Sequence, residues 1–200
     1  FTGGVDSHNT AVGYNAGTAI TSGIQNTLIG GLAGDSITSG EGNTALGYSA
    51  LSTNVTGDYN VALGHQALLT SNAADGNGYN IGIGVNAGLS VTTGTSNVLI
   101  GSFAGDQLST GIDNVAVGGN SLSAVNAGNR SVAIGRNALK LQNAGSAGQN
   151  MYNTAVGYEA GTSVTTGVQN TLIGGFAGDS INTGEGNTSL GYKSLENNST

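Results

Sequence analysis

The sequence predicts an all-β fold, a parallel β-roll or β-solenoid of about 11 short coils. One short strand motif recurs 11 times along the 200 residues, which is the signature of a stacked repeat. Glycine accounts for 37 residues and recurs at fixed positions of the motif, too often for a helix to propagate. Proline, cysteine and tryptophan are absent, so the composition differs from that of a typical globular core.

The repeat unit reads Asn-x-Ala-aliphatic-Gly-x-x-Ala, and positions are counted from its asparagine. Successive units begin 17 residues apart, except for one step of 20 and one of 22. Stacking at about 4.8 Å per coil gives a rod on the order of 50 Å long. In such a stack the first-position side chains form a ladder, each amide bonding to the next coil. The ladder residues are Asn9, Asn26, Asn43, Asn60, Asn80, Asn97, Asn114, Asn153, Asn170 and Asn187, with Ser131 in the eighth unit.

Positions two to four of each unit form the predicted strand, which ends at the glycine of position five. Position four is aliphatic in all 11 units and is predicted to lie in the core, on the same face as position two because strand side chains alternate. Position three carries mostly small residues on the other face of the strand. Both faces are therefore apolar, and both are expected to be buried. We expect the small-residue face to pack against a second surface. The predicted core residues are Val12, Ile29, Leu46, Leu63, Ile83, Ile100, Val117, Ile134, Val156, Ile173 and Leu190.

The remainder of each coil is predicted to hold a second strand between two turns. A second glycine lies three residues before the asparagine in most units and is interpreted as a turn residue with positive φ. Isolated aliphatic residues are expected to form the strand that faces the first. The glycines are Gly23, Gly40, Gly57, Gly94, Gly111, Gly128, Gly167 and Gly184, and the aliphatics include Ile20, Ile37, Val91, Leu108, Val125, Val164 and Ile181.

A longer period is superimposed on the coils. Position nine runs Gly17, Gly34, Leu51, Leu68 and then repeats this order, so the true repeat is four coils, and residues 9–51 match 153–195 at 32 of 43 positions. The longer steps place extra residues in Ser71–Tyr79 and Asn143–Tyr152, which are expected to project from one side of the rod. The predicted organisation is residues 1–8 leading into the array, 9–79 as the first cycle, 80–152 as the second and 153–200 as a third, incomplete cycle, all in one continuous repeat domain.

Composition excludes several classes of function. The formal net charge is −7, and Lys and Arg are absent from the first 129 residues, which argues against binding to nucleic acid. No apolar run reaches the roughly 20 residues of a membrane helix, so no membrane insertion is expected in this segment. The repeats continue up to the last residue, and we therefore expect the chain to be part of a longer polypeptide.

The sequence indicates no catalytic residues and no cofactor. His8 follows Asp6 and Ser7, but neighbours in sequence rarely meet in triad geometry, and His65 is interpreted as a surface residue. Gly82–Ala87 fits a dinucleotide fingerprint without the helix that such a site needs.

Two groups of residues are candidate binding sites. Asp35, Asp106 and Asp179 are weak calcium candidates, because one carboxylate per four coils leaves most of the oxygen ligands of the ion unaccounted for. The alternative is that each aspartate caps a turn. The tyrosines of position six form a possible surface-binding stripe for a carbohydrate or a receptor, or else ordinary exposed packing. They are Tyr14, Tyr48, Tyr158 and Tyr192.

The units Ser131–Ala138, SVAIGRNA, and Asn153–Ala160, NTAVGYEA, closely resemble the head repeats of YadA-like trimeric autotransporter adhesins. Similar arrays occur in bacteriophage fibre proteins. The resemblance covers nearly the whole chain and implies a left-handed parallel β-roll in which three copies associate, exposed on a cell or virion surface. These coils are a few residues longer than the commonest ones of that family, and the four-coil cycle is not part of its basic pattern.

The expected function is that of a structural or adhesive fibre segment, not an enzyme, which attaches to a host receptor or glycan or acts as a rigid spacer. An ice-binding or carbohydrate-binding solenoid is the alternative, although valine and isoleucine interrupt the threonine row that begins at Thr10, Thr27 and Thr44. A polysaccharide-cleaving fibre is not favoured, because the 11 acidic residues are scattered singly and lack the carboxylate pair such cleavage needs.

Overall fold

The computed structural model describes residues 7–73, 76–124 and 127–197. These residues contain 11 strands of three residues each and no helix, which confirms the all-β parallel solenoid. The strands pair in chain order as one parallel sheet, in which each strand adds directly to the one before. They are β1 (Thr10–Val12), β2 (Thr27–Ile29), β3 (Thr44–Leu46), β4 (Val61–Leu63), β5 (Ile81–Ile83), β6 (Val98–Ile100), β7 (Val115–Val117), β8 (Val132–Ile134), β9 (Thr154–Val156), β10 (Thr171–Ile173) and β11 (Thr188–Leu190).

Backbone pairing between coils extends beyond the three residues of each strand. Thr10 pairs with Thr27 in β1 and β2, and the Gln25 N–H donates to the Ser7 carbonyl at 2.7 Å before them. After the strand, the Leu32 N–H donates to the Tyr14 carbonyl at 2.8 Å. About eight residues of each coil therefore stack in register on the next coil.

The core prediction was wrong about which strand face lies inside the coil. Position three is buried in ten of the 11 strands, whereas position four is exposed or half-buried, with Val12 58% exposed and Leu46 48% exposed. The first-position asparagine turns inward to hydrogen-bond across the coil, and position three shares its parity. The residues that leave the predicted core are Val12, Ile29, Leu46, Leu63, Ile83, Ile100, Val117, Ile134, Val156, Ile173 and Leu190.

The predicted second strand does not form in the described part of the chain. In the first coil the N–H groups of Thr21, Ser22 and Gly23 all converge on the Thr38 carbonyl at 3.0–3.1 Å, which bends the chain instead of extending it. The aliphatics of this side are nevertheless buried in the coil interior, except that Val125 lies outside the described residues. The buried ones are Ile20, Ile37, Val91, Leu108, Val164 and Ile181.

The second glycine, which most coils carry three residues before the next asparagine, is required for close packing and not for its backbone angle. Gly23 does not have positive φ, but a Cβ on it would lie 2.5 Å from the Gly40 carbonyl oxygen of the next coil. Positive φ angles occur instead at the residue just before the first-position asparagine and at positions five, seven and nine of the repeat. The prediction of positive φ was therefore wrong for Gly23, Gly40, Gly57, Gly94, Gly111, Gly128, Gly167 and Gly184.

The four-coil cycle is a cycle of interior packing. Leu28 of β2 fills the space left by two glycines, because a Cβ on Gly17 or Gly34 would lie 2.8 Å from one of its methyl groups. In the next two coils position three is alanine, and the leucine moves to position nine on the opposite wall, as with Ala45 and Leu51, both fully buried. Leucine thus alternates between two walls of a narrow interior, and a small residue, glycine or alanine, lies opposite each buried leucine of these walls.

Candidate functional site

The side chains of positions two and four form a continuous outer face along the sheet. Positions two and four alternate with the buried position three, and register between strands stacks equivalent side chains into two rows. All 22 residues are uncharged, and the longest are branched aliphatics. The second-position row is Thr10, Thr27, Thr44, Val61, Ile81, Val98, Val115, Val132, Thr154, Thr171 and Thr188.

Two columns of side chains border this outer face. The N-flank consists of the residues immediately before the first position: His8, Gln25, Gly42, Tyr59, Tyr79, Ser96, Asp113, Arg130, Tyr152, Gln169 and Gly186. The C-flank consists of the residues of position six: Tyr14, Gly31, Tyr48, His65, Val85, Ser102, Gly119, Arg136, Tyr158, Gly175 and Tyr192. Members of the two flanks lie three residues before and three residues after the middle of each strand.

Aromatic rings stack along both flanks. On the N-flank the rings of Tyr59 and Tyr79 are nearly parallel with centroids 5.5 Å apart, and on the C-flank Tyr48 and His65 stack at 5.6 Å. The possible surface-binding tyrosines all lie on the C-flank and are exposed; they are Tyr14, Tyr48, Tyr158 and Tyr192. His65, interpreted as a surface residue, is exposed in this stack. The tyrosines thus border the outer face and do not form a separate patch.

Charged side chains on the flanks cluster in two adjacent coils. Arg130 Nε lies 3.5 Å from Asp113 Oδ2, and the Arg130 guanidinium also donates to the Tyr152 hydroxyl at 3.2 Å. Arg136 lies on the opposite flank and is exposed. Because Asp113 and Arg130 are both nearly half exposed, their ion pair contributes little to stability.

The asparagine ladder holds the sheet in register beneath the outer face. Asn26 donates from its backbone N–H and from Nδ2 to Asn9 Oδ1, at 2.8 and 3.1 Å, and Nδ2 also donates across the coil to the Gly40 carbonyl at 2.8 Å. The same pattern joins Asn97 to Asn80 and Asn170 to Asn153. Each buried amide is thus satisfied within and between coils.

Ser131 interrupts this ladder, and Gln142 replaces the missing amide. Ser131 lacks a carboxamide, and Gln142 occupies the twelfth position of the same coil, where most coils carry an aliphatic residue. Its Oε1 accepts from Asn153 Nδ2 at 2.8 Å, and its Nε2 donates to Ser131 Oγ at 2.9 Å. Gln142 is fully buried, so a polar residue in the interior restores the hydrogen bonding that the serine removes.

The calcium candidates do not come together. Asp35, Asp106 and Asp179 occupy equivalent coils of successive cycles, and the described residues contain no group of three acidic or histidine side chains able to hold a metal. Each carboxylate instead has one buried oxygen, Oδ1, without a hydrogen-bond partner in the described residues. For Asp106, this burial raises the pKa of the carboxyl above its ordinary value of 3.8.

Replacing Asp106 by asparagine is expected to stabilise the fold at neutral pH. Because the folded pKa is raised, Asp106 favours the folded state below about pH 3.8 and loses that contribution as pH rises through the folded pKa. The gain from Asp106→Asn should therefore be present at pH 7 and vanish towards pH 3. Urea unfolding at both pH values measures it, with exposed Glu185→Gln as a control for net charge. An equal gain from Glu185→Gln would contradict the role of burial.

The lengthened segments leave the coils at equivalent places. The described part of Ser71–Tyr79 begins at the twelfth position of its coil and Asn143–Tyr152 begins at the thirteenth, and both end just before the next asparagine. A cavity of about 410 Å³ adjoins the second segment and is lined by small side chains such as Asn143, Ser146 and Thr110. None of the described residues that line it is charged.

No family model, curated protein or solved structure matches the chain. Among the described residues no helix is long and apolar enough to cross a membrane. The Gly82–Ala87 fingerprint begins in β5 and continues into a turn, without the helix of a dinucleotide site. The outer face and its flanks are therefore the candidate functional surface.

Proposed function

We propose that this chain is a segment of an extracellular fibre on a cell or virion surface, a left-handed β-roll in which three copies associate through their outer faces. It holds binding elements away from the surface or attaches to a host receptor or glycan itself. The observation that carries this proposal is the uncharged apolar outer face, which runs the length of the sheet without interruption. The coil interior is already filled, so this face has no partner among the residues that the structure describes.

The size of the face supports association with further copies. Ten spacings of about 4.8 Å give the sheet a length of about 48 Å, and the three strand residues at about 3.3 Å give the outer face a width near 10 Å. The resulting area of about 480 Å² is smaller than the roughly 800 Å² per partner of a standard interface, so the outer face supplies the apolar centre of a contact that also includes the flanks. Apolar patches larger than a few hundred Å² are rare on monomeric proteins and mark interaction surfaces.

The number three and the left hand follow from the resemblance of the units to YadA-like head repeats. What supports association between copies is a row of aliphatic residues at position four that faces outward in every strand, as a shared core between copies requires. A parallel arrangement about one axis brings identical coils together at each level, so each apolar residue meets a similar one.

Ice binding has less support from the outer face. Its fourth-position row is aliphatic throughout, and in its second-position row threonine gives way to valine and isoleucine from Val61 to Val132. The exposed tyrosines of the C-flank remain candidates for contact with a receptor or glycan, since aromatic rings with hydroxyl tips are common in such contacts.

Light scattering of the purified segment tests the association. We expect a mass of three chains for the natural sequence, and monomers for Val115→Asp, which places a charge in the middle of the outer face. Thr93→Asp adds the same charge to an exposed turn away from the sheet and should leave the trimer intact. A stable monomer of the natural sequence would overturn the proposal, and so would a trimer that tolerates Val115→Asp.

A further inference from the structure

One exposed asparagine in the first lengthened segment is followed directly by glycine. Asn77 precedes Gly78, and no other asparagine of the 200 residues precedes a glycine. We infer that Asn77 is a site of spontaneous deamidation, at which the side-chain amide is lost and aspartate or isoaspartate forms. The site lies at the junction between the first and second four-coil cycles, and the inference does not depend on the proposed function.

The reaction needs only this chain and water. The backbone nitrogen of Gly78 forms a bond to Cγ of Asn77, the Cγ–Nδ2 bond breaks, and Nδ2 leaves as ammonia with the proton of the attacking N–H. Water then opens the five-membered imide at either of its carbonyls. One opening gives aspartate, and the other gives isoaspartate, in which the main chain runs through Cγ. Glycine favours the ring closure because it has no Cβ beside the attacking nitrogen.

The fold leaves the Asn77 side chain accessible. Asn77 is exposed, and its carboxamide makes no hydrogen bond to another described residue. Its backbone pairs with Asp58 of the previous coil in an isolated parallel bridge, in which the Gly78 N–H donates to the Asp58 carbonyl at 3.0 Å. Only this one hydrogen bond has to open before the Gly78 nitrogen can attack.

The second lengthened segment contains a matched asparagine. Asn150 is also exposed and forms the equivalent bridge with Asn129, and the Met151 N–H donates to the Asn129 carbonyl at the same distance of 3.0 Å. Two features differ from the first segment. The residue that follows Asn150 has a fully buried side chain, and Asn150 Oδ1 accepts from Asn129 Nδ2 at 3.5 Å. Asn150 should therefore react much more slowly than Asn77, although its backbone is held in the same way.

Deamidation of Asn77 would weaken the contact between the two cycles. Asp58 Oδ1 accepts from the Glu41 N–H at 2.8 Å, and burial, together with the charge of Glu41, raises the pKa of the Asp58 carboxyl. The new carboxylate faces Asp58 across the bridge, so like charges meet there. Gly78 packs against the ladder, since a Cβ on it would lie 2.3 Å from Asn60 Oδ1. The longer main chain of isoaspartate therefore disturbs the ladder as well.

Peptide mapping by mass spectrometry tests the inference after the folded protein has been kept in mildly alkaline buffer. We expect deamidation at Asn77 to be at least about tenfold faster than at Asn150, because only Asn77 is followed by a residue without a Cβ. The rate should rise with pH, since the attacking nitrogen must lose its proton. Equal rates at the two asparagines would overturn the inference. So would an Asn77 that stays intact in the folded protein while it reacts in the urea-unfolded chain.

Variants that imitate the product test its consequence. Asn77→Asp should lower the urea midpoint at pH 7 more than Asn150→Asp does, because Asn129 opposite the second site is neutral. The difference should vanish towards about pH 3, where Asp58 and the new carboxylate are protonated. Asn77→Gln, whose longer side chain does not close a five-membered ring, should abolish the reaction and leave the midpoint unchanged. If Asn77→Asp and Asn150→Asp lower the midpoint equally at pH 7, deamidation of Asn77 does not weaken the junction through Asp58.

Discussion

Replacement of Leu99 by alanine is expected to lower the free energy of unfolding by about 3–5 kcal/mol, as is typical of a buried leucine whose site does not collapse. Leu99 is fully buried, and its methyl groups fill the space beside two glycines. A Cβ on Gly88 or Gly105 would lie 2.8 or 2.7 Å from them. Alanine would thus leave a cavity that spans two coils. Urea unfolding measures the loss, and Leu141→Ala, at a leucine that is 44% exposed, is the control with a small effect.

A compensating change tests whether the four-coil cycle is a packing cycle. Leu99→Ala combined with Gly105→Leu reproduces the arrangement of Ala45 and Leu51 in the third coil, where leucine at position nine adopts φ of 53°. We expect the double variant to recover most of the lost stability. If the double variant is less stable than Leu99→Ala alone, leucines at position three and at position nine do not fill the same interior space.

Replacement of Gly118 by alanine is the second change with a large expected effect. Gly118 directly follows β7 and has φ of 125°, and a Cβ on it would lie 2.6 Å from the Gly135 carbonyl carbon and 2.9 Å from the Arg136 nitrogen. These are backbone atoms of the next coil, so relief requires that the coils move apart. We expect a loss of several kcal/mol, made up of the strained backbone angle and the contact with the next coil.

Gly191 provides the matched control for this prediction. Its φ is 118°, but Gly191 lies in the last described coil, and a Cβ on it would meet none of the described residues within 4 Å. Gly191→Ala therefore carries only the cost of the backbone angle, of order 1–3 kcal/mol. The difference in unfolding free energy between the two variants isolates the contact between coils, and equal losses would show that this contact does not matter.

The first-position asparagines show what a repeat can predict. Their spacing alone indicated a ladder, because identical residues in identical coils stack directly above one another, and Asn26 contacts Asn9 in this way. Ser131 interrupts the pattern in the sequence. Its partner Gln142 lies 11 residues away, and nothing in the repeat pattern marks it as the partner. Only the folded coil brings these two side chains together.

The orientation of the strand was the main error, and the reason is physical. A strand that is apolar on both faces gives no contrast in polarity from which to assign the buried face, so residue size alone favours position four. The buried amide of the first position held the decisive information, since Asn43 and Ala45 share a parity and both turn inward. The outer face therefore consists of the large aliphatics, which strengthens the case for association.

The sequence by itself determined the number of coils, the parallel stack, the ladder and the four-coil period, because each of these is a regularity of spacing. Only the tertiary structure decided which strand face is buried, why Gly23 is a glycine and how leucine alternates between two walls. These features depend on distances between neighbouring coils and across a narrow interior. Such distances are fixed only when the chain has closed each coil on the next.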